Sequence, residues 1–505
     1  MSREIFDVLI IGAGLSGIGA ARYLKKKCPQ KTFAILEAKP KIGGTWELFK
    51  YPGIRSDSDM HTMGYAFKPW TNPKAISDGE SIRNYIAETA DENGLTEHIR
   101  FNQKVKSADW NSDEAVWTLT VEENGEIKTY QTQFLFSCAG YYKHEEGYLP
   151  TWGGEEDFEG QFVHPQFWPE DLDYTGKKVA IIGSGATAVT LTPVMAEKAA
   201  HVYQVQRSPT YVISRPTEDA HANNLQKFLP ADVAYAMTRW QTILRGRMMR
   251  KQFGKDIKAT KQMLIGMVAK ELDGKCDVEK HWTPDYWPGQ QRICAVTDGD
   301  MFNAIKDGRA SMVTGHIDHF TKTGIQMKDG EHIEADIIVT ATGLVLEFMG
   351  GIDVSVDGQN VDPGKLLIYK GFMYSNIPNL IYFSGYTNAS WTLKVDLVAE
   401  YACRLLRYMD KKGAKQWVPL ASEADFQKTG ASNNFISGYF KRAHHRLPKH
   451  GAEFPWIHEQ DYFWDRKTLR KGELEDGVLK ISAADKIIFP ESQKAESNKE
   501  AVAAE

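Results

Sequence analysis

Two glycine-rich turns carry the residue types and spacing needed to hold a nucleotide diphosphate. Gly12-Ala-Gly14-Leu15-Ser16-Gly17 follows the apolar run 8–11, and Gly183-Ser184-Gly185-Ala-Thr187-Ala188 follows the apolar run 179–182. Each turn opens a helical stretch. Strand, tight glycine turn and helix together form a cradle whose backbone N–H groups face a pyrophosphate. One such motif is weak evidence, but two in the correct context predict two bound dinucleotides.

The residue that follows the second strand of each unit indicates which nucleotide the unit takes. The first unit ends at Glu37, whose carboxylate can hydrogen-bond free ribose hydroxyls and would repel a 2′-phosphate. The second unit continues into Arg207-Ser208, and a guanidinium offers bidentate, charge-assisted bonds to phosphate. These residues predict FAD in the first unit, and NADPH rather than NADH in the second.

Two further blocks bring in residues that could take part in chemistry. Gly43-Gly44-Thr45-Trp46-Glu-Leu-Phe-Lys-Tyr51-Pro-Gly-Ile-Arg-Ser-Asp57 follows the first unit, and its glycines and proline predict an irregular, closely approaching backbone. Tyr286-Trp-Pro-Gly-Gln-Gln291-Arg292 places an arginine after a Pro-Gly turn. Taken alone, Asp57 is typical of a turn-capping acid and Arg292 of a surface charge.

Taken together, these blocks resemble the type I Baeyer–Villiger monooxygenase family. Phe158-Glu-Gly160-Gln-Phe-Val-His164-Pro-Gln-Phe-Trp168-Pro matches the F-x-G-x-x-x-H-x-x-x-W-P signature of that family. Residues 43–57 match every fixed position of its G-G-x-W-x-x-x-x-Y-P-G-x-x-x-D block. The resemblance covers nearly the whole chain and is greatest to the branch with ethionamide-activating and long-chain-alkane-associated monooxygenases.

The resemblance implies an FAD-dependent, NADPH-consuming monooxygenase that inserts one oxygen atom of O2 by way of a C4a-peroxyflavin. Its substrates would be aliphatic, rather long ketones, which become esters, and sulfides or thioamides, which are oxidised at sulfur. Two alternatives stay open: an N- or S-oxygenating flavin monooxygenase, and a hydroxylating monooxygenase of long-chain alkane degradation. The N- or S-oxygenating enzymes usually have Tyr or Phe at the position of Trp168.

The resemblance also implies a role for individual residues. Arg292 and Asp57 would be catalytic, with Asp57 orienting Arg292 and Arg292 stabilising negative charge on the reacting oxygen. Phe158, Gly160, His164 and Trp168 would couple the nicotinamide nucleotide to the flavin, with no acid–base role for His164. Gln291 stands where most members have lysine. The expected cofactor contacts are Gly12, Gly14, Leu15, Ser16, Gly17, Glu37, Gly44, Thr45, Trp46, Asp57, Gly183, Ser184, Gly185, Thr187, Ala188, Arg207, Ser208 and Trp391.

The elements that must position these residues alternate between strand and helix. Apolar runs predict strands at 6–11, 32–36, 133–137, 333–340 and 380–383, and helical spacing predicts helices at 14–26 and at 390–409, the latter capped by Ser390. The predicted fold class is α/β: two Rossmann-like dinucleotide-binding domains, the NADPH-binding domain inserted in a discontinuous FAD-binding domain. The expected bounds are 1–148 and 335–488 for the FAD domain, 149–334 for the NADPH domain with a helical insertion at about 223–280, and 489–505 for a disordered tail.

Composition narrows the class of protein further. The chain has 505 residues, of which 25% are charged and 42% hydrophobic, an ordinary soluble composition. A net charge of -5 gives no reason to expect nucleic acid as a partner. Five scattered cysteines without a C-x-x-C pair argue against a disulfide framework or a metal site and favour a cytoplasmic protein. Neither a signal peptide nor a membrane-spanning apolar run is recognisable.

A basic helical stretch at 239–261 has two interpretations. It contains one acid, Asp256, among basic residues. The first interpretation is a solvated helix face, and the second is a peripheral contact with the inner face of a membrane. The basic residues are Arg239, Arg245, Arg247, Arg250, Lys251, Lys255, Lys258 and Lys261.

Overall fold

The computed structural model describes residues 4–428 and 437–482. The tail predicted at 489–505 lies outside the described residues. The helices are α1 (Leu15–Lys27), α2 (Thr45–Leu48), α3 (Met60–Met63), α4 (Gly79–Glu92), α5 (Ala186–Met195), α6 (Ala220–Phe228), α7 (Ala231–Lys255), α8 (Ile257–Leu272), α9 (Val278–Trp282), α10 (Asp300–Lys306), α11 (Trp391–Lys412), α12 (Glu423–Gln427), α13 (Gly438–Ala443) and α14 (Tyr462–Lys471).

The strands belong to two large sheets and several small ones. They are β1 (Glu4–Ile11), β2 (Phe33–Leu36), β3 (Ile99–Arg100), β4 (Gln103–Asn111), β5 (Val116–Glu123), β6 (Glu126–Ser137), β7 (Tyr142–Gly147), β8 (Gln161–Val163), β9 (Lys178–Ile182), β10 (His201–Gln206), β11 (Val212–Arg215), β12 (Cys294–Thr297), β13 (Ala310–Thr314), β14 (Ile317–Thr321), β15 (Gly324–Met327), β16 (His332–Glu334), β17 (Ile337–Thr340), β18 (Leu344–Leu346), β19 (Asp353–Val356), β20 (Gln359–Asn360), β21 (Ile368–Tyr369), β22 (Met373–Tyr374), β23 (Leu380–Tyr382), β24 (Gln416–Pro419) and β25 (Leu479–Ser482).

The first large sheet is built from two separate parts of the chain. Its order is β20-β19-β4-β5-β6-β1-β2-β3, and β23 pairs with β6. The strands β2, β1, β6 and β23 run parallel, and the carboxyl half of β1 is buried on both faces, as the continuous apolar run 8–11 predicts. Strands from before residue 140 and after residue 350 thus share one sheet, which confirms the discontinuous first unit.

The second large sheet is entirely parallel and lies between those two parts of the chain. Its order is β13-β10-β9-β17-β8. The helix α5 connects β9 to β10, which is the predicted second βαβ unit. The predicted α/β fold class, with one Rossmann-like unit inserted in another, is therefore confirmed.

One predicted strand and one predicted boundary need correction. The run 333–340 is two strands, because β16 ends at Glu334 in a small antiparallel sheet and β17 begins at Ile337 in the second large sheet. The boundary predicted at 334/335 would separate β17 from β8 and β9, to which it is hydrogen-bonded. The chain returns after Thr340, where β18 pairs with β7 and forms a ribbon between the two units. The other domain bounds stay predictions.

The helices α6 to α9 form the helical region that was expected at about 223–280. They extend from Ala220 to Trp282 and are separated by short breaks. Arg239 of α7 does not belong to a solvated face, because its side chain is buried and pairs with Asp396 of α11 at 3.2 Å. It also donates to the backbone carbonyls of His61 and Gly64. Arg239 thus attaches α7 to the first unit and cannot contact a membrane.

The two units share a hydrophobic core through the loop that follows α2. Phe49 and Tyr51 pack in the core of the second sheet, although both follow the first βαβ unit in sequence. Gly53 approaches α5 so closely that a Cβ on it would lie 2.5 Å from Cγ2 of Val194. All five cysteines lie in the described ranges and are free thiols. Among the described helices, none is both long and apolar enough to cross a membrane.

Candidate active site

A cavity of about 2460 Å³ opens between the two units. The carboxyl ends of β1 and β9 reach it, together with the loop 43–59 and the loop before β12. Ligands of open α/β sheets bind at this edge, where the strand order reverses. The predicted residues that line the cavity are Gly12, Gly14, Leu15, Ser16, Glu37, Gly44, Thr45, Trp46, Asp57, Gly183, Ser184, Gly185, Thr187, Arg207, Ser208, Arg292 and Trp391.

The first glycine turn fits the diphosphate of a flavin nucleotide. Gly12 has a φ of +98°, and a Cβ on it would lie 2.7 Å from the carbonyl oxygen of Cys138. A Cβ on Gly44 would lie 2.9 Å from Cα of Gly14, so the loop and the turn meet backbone to backbone. Neither a capping side chain nor an acidic residue occupies the first turn of α1. The N-terminus of α1 is therefore open to an anion.

The second glycine turn has the same design. Gly183 has a φ of +148°, and a Cβ on it would lie 2.3 Å from the carbonyl oxygen of Ala341. Gly185 faces open space, and its φ of -81° would suit any residue. A glycine at that position is needed only if a ligand approaches the backbone. The first turn of α5 also lacks an acidic side chain, so the turn fits a second diphosphate.

Gly17 and Ala188 do not line the cavity. A Cβ on Gly17 would lie 1.8 Å from the carbonyl oxygen of Gly12, so this glycine allows α1 to pack against β1. Ala188 is fully buried under the second turn. Both residues support the turns from below, and neither faces the cavity.

Glu37 and Arg207 occupy the ends of the second strands, as expected, but in different surroundings. The carboxylate of Glu37 accepts from the backbone N–H groups of Ala13 (2.7 Å) and Lys39 (2.9 Å). Burial raises the pKa of Glu37, and these two N–H donors partly offset that rise. Arg207 is exposed and faces the cavity.

Asp57 and Arg292 are brought together by the fold. Nη1 of Arg292 donates to Oδ2 of Asp57 at 3.1 Å, and about two fifths of each side chain is exposed, toward the cavity (40% and 37%). Burial acts to lower the pKa of Arg292, but Asp57 and the neighbouring Tyr141, Tyr142 and Tyr439 together outweigh it, and the net pKa is raised. Asp57 thus holds the guanidinium of Arg292 in a fixed position beside the cavity.

Trp391 links α11 to the first glycine turn. Its Nε1 donates to Oγ of Ser16 at 2.9 Å, and its ring stacks on Tyr141 with 5.5 Å between centroids. Ser390 occupies the N-cap position of α11, as predicted, but its side chain makes no capping bond and instead shares a hydrogen bond of 2.6 Å with Oγ1 of Thr62. Ser390 thus fixes the start of α11 to α3.

None of the four signature residues lines the cavity, and His164 lies at the junction between the two units. His164 follows β8, and its Nδ1 accepts from the backbone N–H of Gln166 at 3.2 Å. Its ring packs so closely on β7 that a Cβ on Gly147 would lie 2.0 Å from Cε1. Burial lowers the pKa of His164. Its place against the β7–β18 ribbon agrees with a coupling role and gives no support for acid–base chemistry.

Phe158, Gly160 and Trp168 pack within the second unit. Phe158 and Phe162 meet edge to face, with 5.0 Å between centroids. A Cβ on Gly160 would lie 2.4 Å from the carbonyl oxygen of Asp336. Trp168 packs on the core of the second sheet. These three residues therefore contribute to packing in the second unit.

The structure also brings a residue to the cavity that sequence reasoning missed. Arg442 of α13 places its guanidinium 3.3 Å from the centroid of the Tyr148 ring. Burial lowers the pKa of Arg442, and the positive charge of Arg207 adds to that effect, so the two guanidinium groups lie near each other. The spacing around Arg442 gave no signal, because only the tertiary path of the chain returns α13 to β18 and the cavity.

This chain belongs to the flavin-binding monooxygenase-like family, whose model matches residues 7–382. The sequence-based prediction of a flavoprotein monooxygenase is thereby confirmed.

Curated relatives match over almost their whole length. The FAD-containing monooxygenase EthA of Mycobacterium tuberculosis is 46% identical over 480 residues, covering 95% of this chain and 98% of the relative. The probable FAD-binding monooxygenase AlmA of Acinetobacter baylyi is 45% identical over 481 residues, covering 95% and 96%.

Solved structures share the fold at low sequence identity. Cyclohexanone monooxygenase bound to epsilon-caprolactone aligns with a TM-score of 0.76 at 18% identity, covering 95% of this chain and all of that one. An OTEMO complex with FAD and NADP aligns with a TM-score of 0.72 at 21% identity, with the same coverage. These likenesses support the two-unit architecture.

Proposed function

We propose that this protein binds FAD in the first glycine turn and NADPH in the second, and that it oxidises ketones to esters in the Baeyer–Villiger manner. The observation that carries the proposal is the Asp57–Arg292 pair, which faces a cavity reached by both turns. The similarity to the FAD monooxygenases EthA and AlmA, and to the OTEMO complex with FAD and NADP, supports the choice of cofactors.

When bound, the flavin supplies the activation of O2, and the chain supplies binding, charge and shelter from water. Arg292 is the catalytic residue, because its guanidinium can stabilise negative charge on the oxygen and on the attacked carbonyl. Asp57 is a positioning residue that holds Arg292. Trp391 and Ser16 hold the start of α11 against the first turn.

The preference for NADPH over NADH rests on Arg207. Its guanidinium faces the cavity at the end of β10, where the ribose 2′-phosphate of a nucleotide on the second turn belongs. The neighbouring charge of Arg442 adds to the attraction for an anion.

The proposed substrates are aliphatic, longish ketones, with sulfides and thioamides as substrates for oxidation at sulfur. Ile243, Met249 and Phe253 give one wall of the cavity an apolar surface that suits such chains. We also propose a cytoplasmic location and a peripheral membrane contact through 239–261, from which the buried Arg239 is excluded.

Product analysis tests the proposed function. The purified protein, incubated with NADPH and a panel of linear ketones, should be yellow and should form esters, which mass spectrometry identifies. A sulfide offered in the same assay should give a sulfoxide. Sulfoxide or hydroxylated products without any ester would favour an S-oxygenating or a hydroxylating enzyme, and hydrogen peroxide alone would refute oxygen transfer.

A further inference from the structure

The hairpin of α7 and α8 exposes an unusual amount of apolar surface. Ten of the eighteen large hydrophobic side chains that are exposed in the described residues lie between Phe228 and Met267. Large exposed apolar patches on a folded protein mark interaction sites. We call residues 233–267 the hairpin.

Five of these side chains form a continuous stripe along α7. They recur every three or four residues, which places them on one face of the helix over about 22 Å. Met248, near the tip of the hairpin, is 65% exposed. The stripe consists of Val233, Met237, Trp240, Leu244 and Met248.

The tip of the hairpin is basic, although the whole chain carries a net charge of -5. Arg245, Lys251, Lys255 and Lys258 are exposed there. Asp256 is the one acid between 245 and 261, and its carboxylate is engaged with the backbone N–H of Ala259 at 2.9 Å. Exposed methionine and leucine beside lysine and arginine match the two layers of an anionic lipid surface, acyl chain and headgroup.

The same hairpin lines the mouth of the active-site cavity. Met249, Ile257 and Met267 are each more than one third exposed, and all three also line the cavity. Phe253 continues the apolar wall inward. Arg239 and Asp396 fix the base of α7 to α11.

We propose that the hairpin docks on an anionic bilayer and that apolar substrates pass from the bilayer between α7 and α8 into the cavity. The docking stands on the exposed surface alone, whereas the substrate route rests on the proposed function. The substrate class is therefore apolar molecules dissolved in lipid, which would reach the site without crossing water. The alternative is that a second copy of the chain covers the same stripe in a dimer.

Vesicle binding tests the docking with the full-length, FAD-loaded protein. Vesicles of phosphatidylcholine with phosphatidylglycerol should sediment the protein at low ionic strength, and binding should weaken at physiological ionic strength. The double variants Leu244→Ser/Met248→Ser and Lys251→Glu/Lys255→Glu should each bind about ten-fold more weakly. Ile5→Ser/Ile127→Ser removes two side chains of similar exposure from the first sheet and should bind like the parent.

Kinetics test the substrate route. None of the four mutated hairpin residues lines the cavity. Both hairpin variants should therefore turn over a short, water-soluble ketone as the parent does, but should lose about ten-fold in kcat/KM for a long ketone supplied in vesicles. Melting temperature and flavin content should match the parent.

Three results would overturn the docking: no sedimentation at low ionic strength, parent-like binding by both hairpin variants, or a dimer that these variants dissociate without any change in vesicle binding. Hairpin-dependent binding without turnover of any ketone would still support the docking and would refute the proposed function. The two proposals therefore fail separately.

Discussion

Arg292 and Asp57 meet across the boundary of the two units, and each depends on the other. Arg292 has a single carboxylate partner in the described residues, at 3.1 Å. Without Asp57, the guanidinium of Arg292 would keep its charge but would no longer be held in one orientation. The pair should therefore behave as one functional unit.

Arg292→Ala should still oxidise NADPH and reduce the flavin but should release hydrogen peroxide in place of ester. Asp57→Ala should resemble it, and the double variant should be scarcely worse than either, because residues acting as a unit are not additive. Ester yield per NADPH consumed, measured with a peroxide assay, checks this. Arg309→Ala, which removes a surface arginine paired with Asp307 at 2.8 Å, is the control. A normal ester yield from Arg292→Ala would refute the proposed mechanism.

Arg207 is a second residue whose role can be tested by a single substitution, in this case at the proposed NADPH site. Arg207→Ala should weaken the binding of 2′,5′-ADP by roughly ten-fold to a hundred-fold, since a hydrogen bond to a charged group contributes about 1.5–3 kcal/mol. Binding of ADP, which has no 2′-phosphate, should hardly change. Calorimetric titration of both nucleotides measures the difference, with Arg446→Ala as a control outside the cavity. Equal losses for the two nucleotides would contradict the assignment of the 2′-phosphate site.

At the scale of elements, the two glycine turns follow one design but use their glycines for different purposes. Gly17 lets α1 approach β1, whereas Gly185 leaves space for a ligand. The two glycine motifs could be found from the sequence. The different roles of Gly17 and Gly185 could not, because they depend on the distance between each helix and its strand.

Gly17→Ala and Gly185→Ala should therefore differ in kind. The first places a methyl group 1.8 Å from a backbone carbonyl and should lower the free energy of unfolding by about 1–3 kcal/mol, with loss of flavin. The second meets nothing within 4 Å and should leave the melting temperature of the protein unchanged while weakening NADPH binding. Thermal unfolding and nucleotide titration of both variants check the contrast. A stable, flavin-loaded Gly17→Ala would show that the approach of α1 to β1 is not critical.

The way in which the two units are joined is a property of the whole molecule. Phe49 and Tyr51 reach the core of the second sheet, and the β7–β18 ribbon carries the chain between the units. Both units and the hairpin contribute walls to the cavity. All three therefore determine which ligands the cavity can hold. The hairpin therefore belongs to the site as well as to the surface.

The sequence by itself determined the features that depend on local backbone chemistry. Glycine turns between apolar strand and helix can be recognised from neighbouring residues alone, and so can Glu37 and Arg207 at strand ends. The α/β class and the nesting of one unit in the other followed from the order of these local units. The pairing of Asp57 with Arg292 was available only through resemblance to a family.

Tertiary structure alone decided the features that depend on distant neighbours. Arg239 is in a basic run, yet Asp396 and several carbonyl groups bury it. Ser390 begins a helix, yet Thr62 takes its hydroxyl. The run 333–340 is apolar throughout, yet two sheets divide it, and Arg442 reaches the cavity from a distant segment. In each case the partner lies far away in the chain, and local spacing holds no information about which distant group comes to meet a side chain.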